Sequence, residues 1–422
     1  MPTRVLPNIG SADPLRLRDS LERMAAGGTT RLAYSVEDIR GRELAMQMMR
    51  EATLEVRVDA SGNIVGERQG RLKTRPILFG SHIDTVRNGG RFDGVLGVMA
   101  GIECVRVLNL MGHLTEHPLH VVIFENEEGQ TYAGLSGSRG MVEGLSAEEL
   151  ARTDGDGRPL RDAIAFVGGE PERLAQPLAP MPDVHAYLEL HIEQGGELER
   201  NLISIGIVEG ISGIHHTEVV VRGAANHAGT TSMTGRRDAL VAAARLVLEV
   251  QKLAEQDGLC RAATVGQMNV LPNSKNIIPG EVRLVIELRD LDCARINTAL
   301  QRLQSVAIEI ESCSGVKIQL QDQQLAPAVP AASLVQKAIA ESCEELGYSY
   351  SSMPSGAGHD AQILGQVAPM GMIFVPSIGG ISHSPEELTT YEDCARGTNV
   401  LLHTILKLDT MDQIPPDEAG TR

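Results

Sequence analysis

Leu119-His120-Val121-Val122-Ile123-Phe124-Glu125-Asn126-Glu127-Glu128 is the stretch that decides how this chain is read. Six largely apolar residues form a run short enough for a buried strand, and the run ends abruptly in acids. An earlier stretch repeats the design. Pro76-Ile77-Leu78-Phe79-Gly80 is a buried strand that runs into Ser81-His82-Ile83-Asp84. Between the two, Gly94 to Leu110 reads as a helix whose Gly97, Ala100 and Gly101 allow close packing. Strands alternating with helices predict an α/β sheet, and such sheets place their chemistry at strand ends.

Working outward, residues 13–54 read as helical, with Ser35 before Glu37 and Asp38 as a helix start. Asp59 to Asn63 reads as a turn between short strands, and residues 152–182 as a long Gly-, Pro- and Asp-rich surface excursion. Tyr187 to Leu190 leads into His191. The pattern changes after Ile211-Ser212-Gly213. Strands are predicted at Thr217–Arg222, Ala263–Val270, Glu281–Arg289 and Val316–Leu320, with helices at Asp238–Lys252 and Asp292–Ile310. That is the β-α-β-β-α-β order of a ferredoxin-like unit. Ala326-Pro-Ala-Val-Pro330 has linker composition, after which Ala332–Leu346 is a helix and Met370–Pro376 a strand. The expected architecture is therefore a larger α/β domain, 1–211 and 328–422, with a mixed sheet between helices. A smaller α+β domain, 212–327, is inserted into it, and the last dozen residues read as a loose tail.

Composition bounds the function. Of 422 residues, 42% are hydrophobic and 22% charged, as in ordinary soluble proteins, and the length suggests two domains. A net charge of −17 argues against nucleic acid and anionic membrane as partners. It leaves room for a small anionic substrate gripped by a local Arg. Six scattered cysteines without a CxxC pair read as free thiols in a reducing compartment. With no leader and no long apolar run, the expected location is the cytoplasm.

The chemistry lies in an ordered set: His82, Asp93, Glu127-Glu128, His191 and His383. Imidazoles and carboxylates suit zinc, manganese or cobalt. With a bridging carboxylate they suffice for two ions, while a second glutamate is left to move protons. Asp84, two residues beyond His82, is a candidate to orient its ring. Each piece has a plainer reading: an exposed Glu pair, a satisfied core histidine, a loop histidine, a helix cap at Asp93. Together, each at a strand end or tight loop, they point to one centre.

The chain resembles the amidohydrolase–carbamoylase branch of the co-catalytic metallopeptidase superfamily. That branch includes N-carbamoyl-L-amino-acid hydrolases, allantoate amidohydrolases and β-ureidopropionases. The resemblance rests on Gly80-Ser-His-Ile-Asp-Thr85, Gly90-Arg-Phe-Asp-Gly94, Glu127-Glu128-Gly129, Leu188-Glu-Leu-His-Ile-Glu-Gln-Gly195, Asn226-His-Ala-Gly-Thr-Thr231, Asn276-Ile-Ile-Pro-Gly280, Ser355-Gly-Ala-Gly-His-Asp360 and Ser382-His-Ser384. One departure is Ser232, where the branch is expected to have Pro. The resemblance implies two divalent ions (Zn, Mn, Co or Ni), one held by His82, Asp93 and His191 and the other by Asp93, Glu128 and His383. It implies Glu127 as general base and Gln194, His227, Asn276, Arg289 and Gly358 as substrate contacts. Arg289 follows an alternating strand and lies on the face opposite its apolar residues, suited to a two-point grip on a carboxylate. The implied reaction is hydrolysis of the carbamoyl C–N bond of an N-carbamoyl-L-amino acid or related ureido acid, with allantoate or a β-ureido acid as alternatives. The inserted domain would serve as lid and as the contact of a homodimer. A metallo-aminopeptidase or deacylase is the competing enzyme class, and it would lack the His-Ile-Glu-Gln-Gly and lid Arg pattern. An inactive relative should have lost the base or a ligand, and none is lost here.

Overall fold

The computed structural model describes residues 10–174, 184–412 and 414. The tail motif at Pro415-Pro416 and the end of the 152–182 excursion lie outside these residues. In chain order the strands are β1 (Glu55–Val58), β2 (Ile64–Arg68), β3 (Ile77–His82), β4 (Leu119–Phe124), β5 (Ala186–Ile192), β6 (Ile205–Ile211), β7 (Gly213–Arg222), β8 (Asn226–His227), β9 (Ala262–Leu271), β10 (Ile277–Ile278), β11 (Glu281–Asp290), β12 (Lys317–Ala326), β13 (Val329–Pro330), β14 (Tyr350–Ser355) and β15 (Met370–Val375). The chain divides into two compact units, Met1–Gly210 with Pro330–Arg422, and Ile211–Val329.

In the first unit nine strands form one mixed sheet, ordered β1-β2-β4-β3-β5-β15-β6-β13, with β14 paired to β6. The centre is parallel: β3 pairs with β4 and β5, and β5 with β15. Every residue of β3, β5 and β15 is buried, as expected for the centre of a sheet covered on both faces. The helix Val95–Leu110 is buried almost all round, and its residues share one core with Ile77, Phe79, Leu188, Leu190 and Val375. The predicted helical region 13–54 is two helices, Pro14–Ala25 and Val36–Glu51. Ser35 opens the second, its Oγ accepting the N–H of Asp38 at 3.1 Å. The excursion expected at 152–182 is a correction: its described part carries helices Leu160–Phe166 and Pro171–Leu174, whose Ala163, Ile164 and Leu174 bury into a small apolar cluster with Tyr34 and Tyr132. Gly and Pro obscured a helical spacing that packing rewards.

The second unit is a four-stranded antiparallel sheet in the order β12-β7-β11-β9. Numbered within the unit, that is 4-1-3-2, the ferredoxin-like arrangement. Val282, Leu284, Ile286 and Leu288 are buried against helices Ala239–Glu255 and Cys293–Ser314. Among the described residues, no helix is long and apolar enough to cross a membrane.

Candidate metal centre

Two parallel strands deliver the first two imidazoles. His82 ends β3 and His191 lies near the end of β5, both 1% exposed. His82 Nδ1 lies 3.0 Å from the carbonyl oxygen of Asp84, and His191 Nδ1 lies 2.9 Å from that of Ile192. A carbonyl only accepts, so each Nδ1 carries a proton and each Nε2 is the nitrogen turned toward Asp93. Asp84 therefore orients His82, as expected, but through its backbone. Its carboxylate instead accepts the N–H groups of Glu127 and Glu128, both at 3.2 Å, and so anchors the acidic turn after β4.

Asp93 stands between the histidines. Its Oδ1 is 3.1 Å from His191 Nε2 and 3.5 Å from His82 Nε2. Its Oδ2 is 3.3 Å from His383 Nε2, and His383 Nε2 is 3.5 Å from Glu128 Oε2. Glu127 Oε2 approaches His82 Nε2 at 3.6 Å. Gly94 makes this possible. It adopts φ 64°, and a Cβ there would lie 2.4 Å from the His82 ring. Two three-residue groups result, His82/Asp93/His191 and Asp93/Glu128/His383, each with its ligand atoms within 4.8 Å of one another.

The charges are crowded. Burial pushes the Glu127 carboxyl well above the usual range, His82 opposes this, and Asp360, Glu128 and Asp84 add to it. Burial and then Asp93 raise Glu128 to about 7, against His82 and His383. Burial would raise Asp93 too, but His191, His383 and His82 outweigh it and hold it well below the usual range. The hydrogen bond to Asp93 leads in raising His383 to about 9. Glu128 Oε1 is buried without a hydrogen-bond partner. Carboxylates massed around the Nε2 atoms of three histidines, with an orphaned carboxylate oxygen, are a donor set that fits divalent cations.

A third group, Glu189/His191/His359, was not anticipated as a set. Glu189 already accepts bonds from Ser81 Oγ at 2.6 Å, Tyr187 OH at 3.0 Å and Ala361 N at 3.1 Å. His359 is 2.9 Å from Ser355 Oγ and packs edge-on against His191. These satisfied groups buttress the back of His191. The signal was the period-2 spacing of Tyr187, Glu189 and His191 on one face of β5.

Of the expected substrate contacts, Gln194 and Gly358 belong to the first unit. Gln194 Nε2 donates to Asp93 Oδ2 at 2.8 Å, and Gly358 adjoins His359. His227, Asn276 and Arg289 belong to the second. His227 and Ile277 are partners in the β8–β10 ladder, which sets Asn276 beside His227. His227 Nδ1 accepts the N–H groups of Gly229 and Thr230, so its Nε2 is the donor. Arg289 donates from Nε to Glu287 at 2.8 Å, and Glu287 is in turn 2.8 Å from His216 Nε2. The acid beside Arg289 is thus Glu287. Asp290, next in sequence, pairs with Arg295.

The N-carbamoyl-L-amino acid amidohydrolase of Geobacillus stearothermophilus is 41% identical over 394 residues, covering 92% of this chain and 95% of that protein. The allantoate amidohydrolase of Escherichia coli (strain K12) is 36% identical, covering 91% of this chain and 93% of that protein. The crystal structure of an amidase of the hydantoinase/carbamoylase family from Burkholderia multivorans superposes with a TM-score of 0.88 at 37% identity, covering 96% of this chain and all of that one. The model of peptidase family M20/M25/M40 matches residues 78–407. Since that span runs from the strand delivering His82 past the loop carrying His383, this chain belongs to peptidase family M20/M25/M40.

Proposed function

We propose that this protein is a metal-dependent amidohydrolase that cleaves the carbamoyl C–N bond of an N-carbamoyl-L-amino acid or a closely related ureido acid. The observation that carries the reading is the Asp93 carboxylate. One oxygen faces His82 and His191 and the other faces His383, with Glu127 alongside. His82, Asp93 and His191 would hold one divalent ion, and Asp93, Glu128 and His383 a second. When bound, such ions polarise the scissile carbonyl and acidify water. Glu127, set beside His82 at the end of β4, takes the proton of the attacking water and returns it to the leaving nitrogen. His227 Nε2–H donates to the developing oxyanion, and Arg289, Asn276 and Gln194 hold the substrate's carboxylate and amide groups. The similarity to carbamoyl and allantoate hydrolases supports a ureido substrate over a peptide.

The same reading takes the inserted unit as lid and dimer contact. Six free cysteines support a reducing, cytoplasmic setting. The deciding experiment measures ammonia and amino-acid release by metal-reconstituted protein from N-carbamoyl-L-amino acids, allantoate, ureidopropionate and dipeptides. Ureido acids should turn over and dipeptides should not. Turnover of dipeptides alone would overturn the assignment, and allantoate as the best substrate would move it to the second named relative's activity.

A further inference from the structure

His82 and His191 stand on buried strands, but Asp93 and His383 do not. Asp93 lies in the turn before helix Val95–Leu110, and His383 follows the single turn Ile378–Gly380 with φ 54°. Two side chains on loops keep a fixed separation only if the loops are tied together. One buried carboxylate ties them. Glu387, 3% exposed, accepts the N–H groups of Phe92 and Asp93 on Oε1, at 2.9 and 3.1 Å. Its Oε2 accepts the hydroxyl of Ser382, the neighbour of His383, at 2.8 Å, and the same hydroxyl is 3.0 Å from Asp93 Oδ2. The turn is shaped around this group. A Cβ at Gly90 would fall 2.0 Å from Glu387 Cδ and Oε1.

We propose that Glu387 is a positioning residue that sets the spacing of Asp93 and His383, and thereby controls the ion of the Asp93/Glu128/His383 group more than that of the His82/Asp93/His191 group. The inference rests on the metal reading above. The asymmetry follows from the scaffold. Strands β3 and β5 hold two of three ligands of the first group whatever the loops do, whereas the second group depends on His383 staying beside Asp93.

Titration of the metal-free protein with cobalt(II), followed by calorimetry and by the ligand-field spectrum, tests this without assaying turnover. The parent should take two equivalents. Glu387→Ala should keep the first close to the parent's affinity and weaken the second about tenfold or more, the usual cost of removing a partner that orients a ligand. Glu387→Gln fills the same volume, still accepts the two N–H groups and can donate to Ser382, so it should restore the second equivalent. Gly90→Ala displaces the carboxylate without altering it, and Ser382→Ala cuts one arm of the tie. Both should weaken the second ion, and they carry the test if Glu387→Ala fails to fold. Parent-like second affinities in all the variants would overturn the inference alone, as would equal weakening of both ions. A parent that takes up no divalent ion would overturn the metal reading and this inference with it.

Discussion

Glu127 is the base of the proposed reaction. Its Oε2 lies 3.6 Å from His82 Nε2, while Glu128 faces His383. Glu127→Gln keeps shape and removes the base. Turnover should fall by about two to four orders of magnitude while metal content stays at the parent's level; activity within a few-fold of the parent would assign the base elsewhere. Arg289 is the proposed grip on the substrate carboxylate. Glu287 holds its Nε, so the guanidinium is oriented before substrate arrives. Arg289→Lys should lower kcat/KM for a ureido acid at least about tenfold, or ~1.4 kcal/mol. The penalty should nearly vanish for an analogue whose carboxylate is an amide, and an equal penalty on both would reduce Arg289 to an ion pair with Glu287. Protons compete for the second group. A ligating His383 must be neutral and Glu128 ionised, but His383 is raised to about 9 and Glu128 to about 7. Lowering pH protonates first one and then the other, so the affinity of the second ion should rise with pH. The slope should be about tenfold per unit between 7 and 9 and steeper below 7. Chelator-competition titrations across that range check it, and a flat profile would place the ion on other ligands.

At the scale of elements, the end of β4 is held by a buried ion pair outside the cluster. Arg42, in helix Val36–Glu51, donates to Glu125, to Gly62 O at 2.7 Å and to Val167 O at 3.2 Å. One guanidinium thus ties a helix, the β1–β2 turn, the helix Leu160–Phe166 region and the strand that carries Glu127. Arg42→Met would strand the Glu125 carboxylate and two carbonyls in the interior, a change that costs about 3–5 kcal/mol when a buried pair is broken. Urea unfolding should report a loss of that order, and a loss under 1 kcal/mol would mean that the pair is incidental. This tie was not legible in the sequence. Arg42 and Glu125 are 83 residues apart, and Arg42 sits in an unremarkable helical pattern. By contrast, β3, β4 and helix Val95–Leu110 were legible because they are buried nearly all round and mostly apolar, and β5 because Leu188, Leu190 and Ile192 mark its core face. The grouping of His82, Asp93, His191, Glu128 and His383 was legible from order, strand ends and the family resemblance together. Glu387 was not, since an acid four residues after His383 in an exposed-looking Ser-Pro-Glu-Glu run reads as solvated. Only the fold turns its carboxylate inward onto the Asp93 turn.

For the whole molecule, two units of different architecture divide the work that the proposed reaction requires. Among the described residues the first holds every candidate metal ligand; the second carries Arg289 on a ferredoxin-like sheet and His227 and Asn276 at the separate β8–β10 ladder. That sheet ends in a long strand. β9, ten residues from Ala262 to Leu271, is the last in the order β12-β7-β11-β9, so its outer edge has no strand partner among the described residues. A bare edge of this length pairs with another copy unless something blunts it. Met268 and Leu271 on β9 are 42% and 41% exposed, and helix Ala239–Glu255, which packs on β9, exposes Val241 and Leu248 at 50% and 59%. Those helix residues are seven apart and share a stripe. An isologous pairing of two such edges under two such stripes would extend the sheet across a two-fold axis and cover Val241, Leu248 and Met268, which lies on the helix-covered face opposite Leu284. Light scattering should therefore give twice the 45.3 kDa of the chain. Val241→Asp with Leu248→Asp should shift the mass toward one chain, because each places a charge in a dry contact. Cobalt uptake should survive that change, since the proposed ligands all lie in the first unit. A dimer unaffected by both substitutions would move the contact to another face of the molecule, and a monomeric parent would remove it.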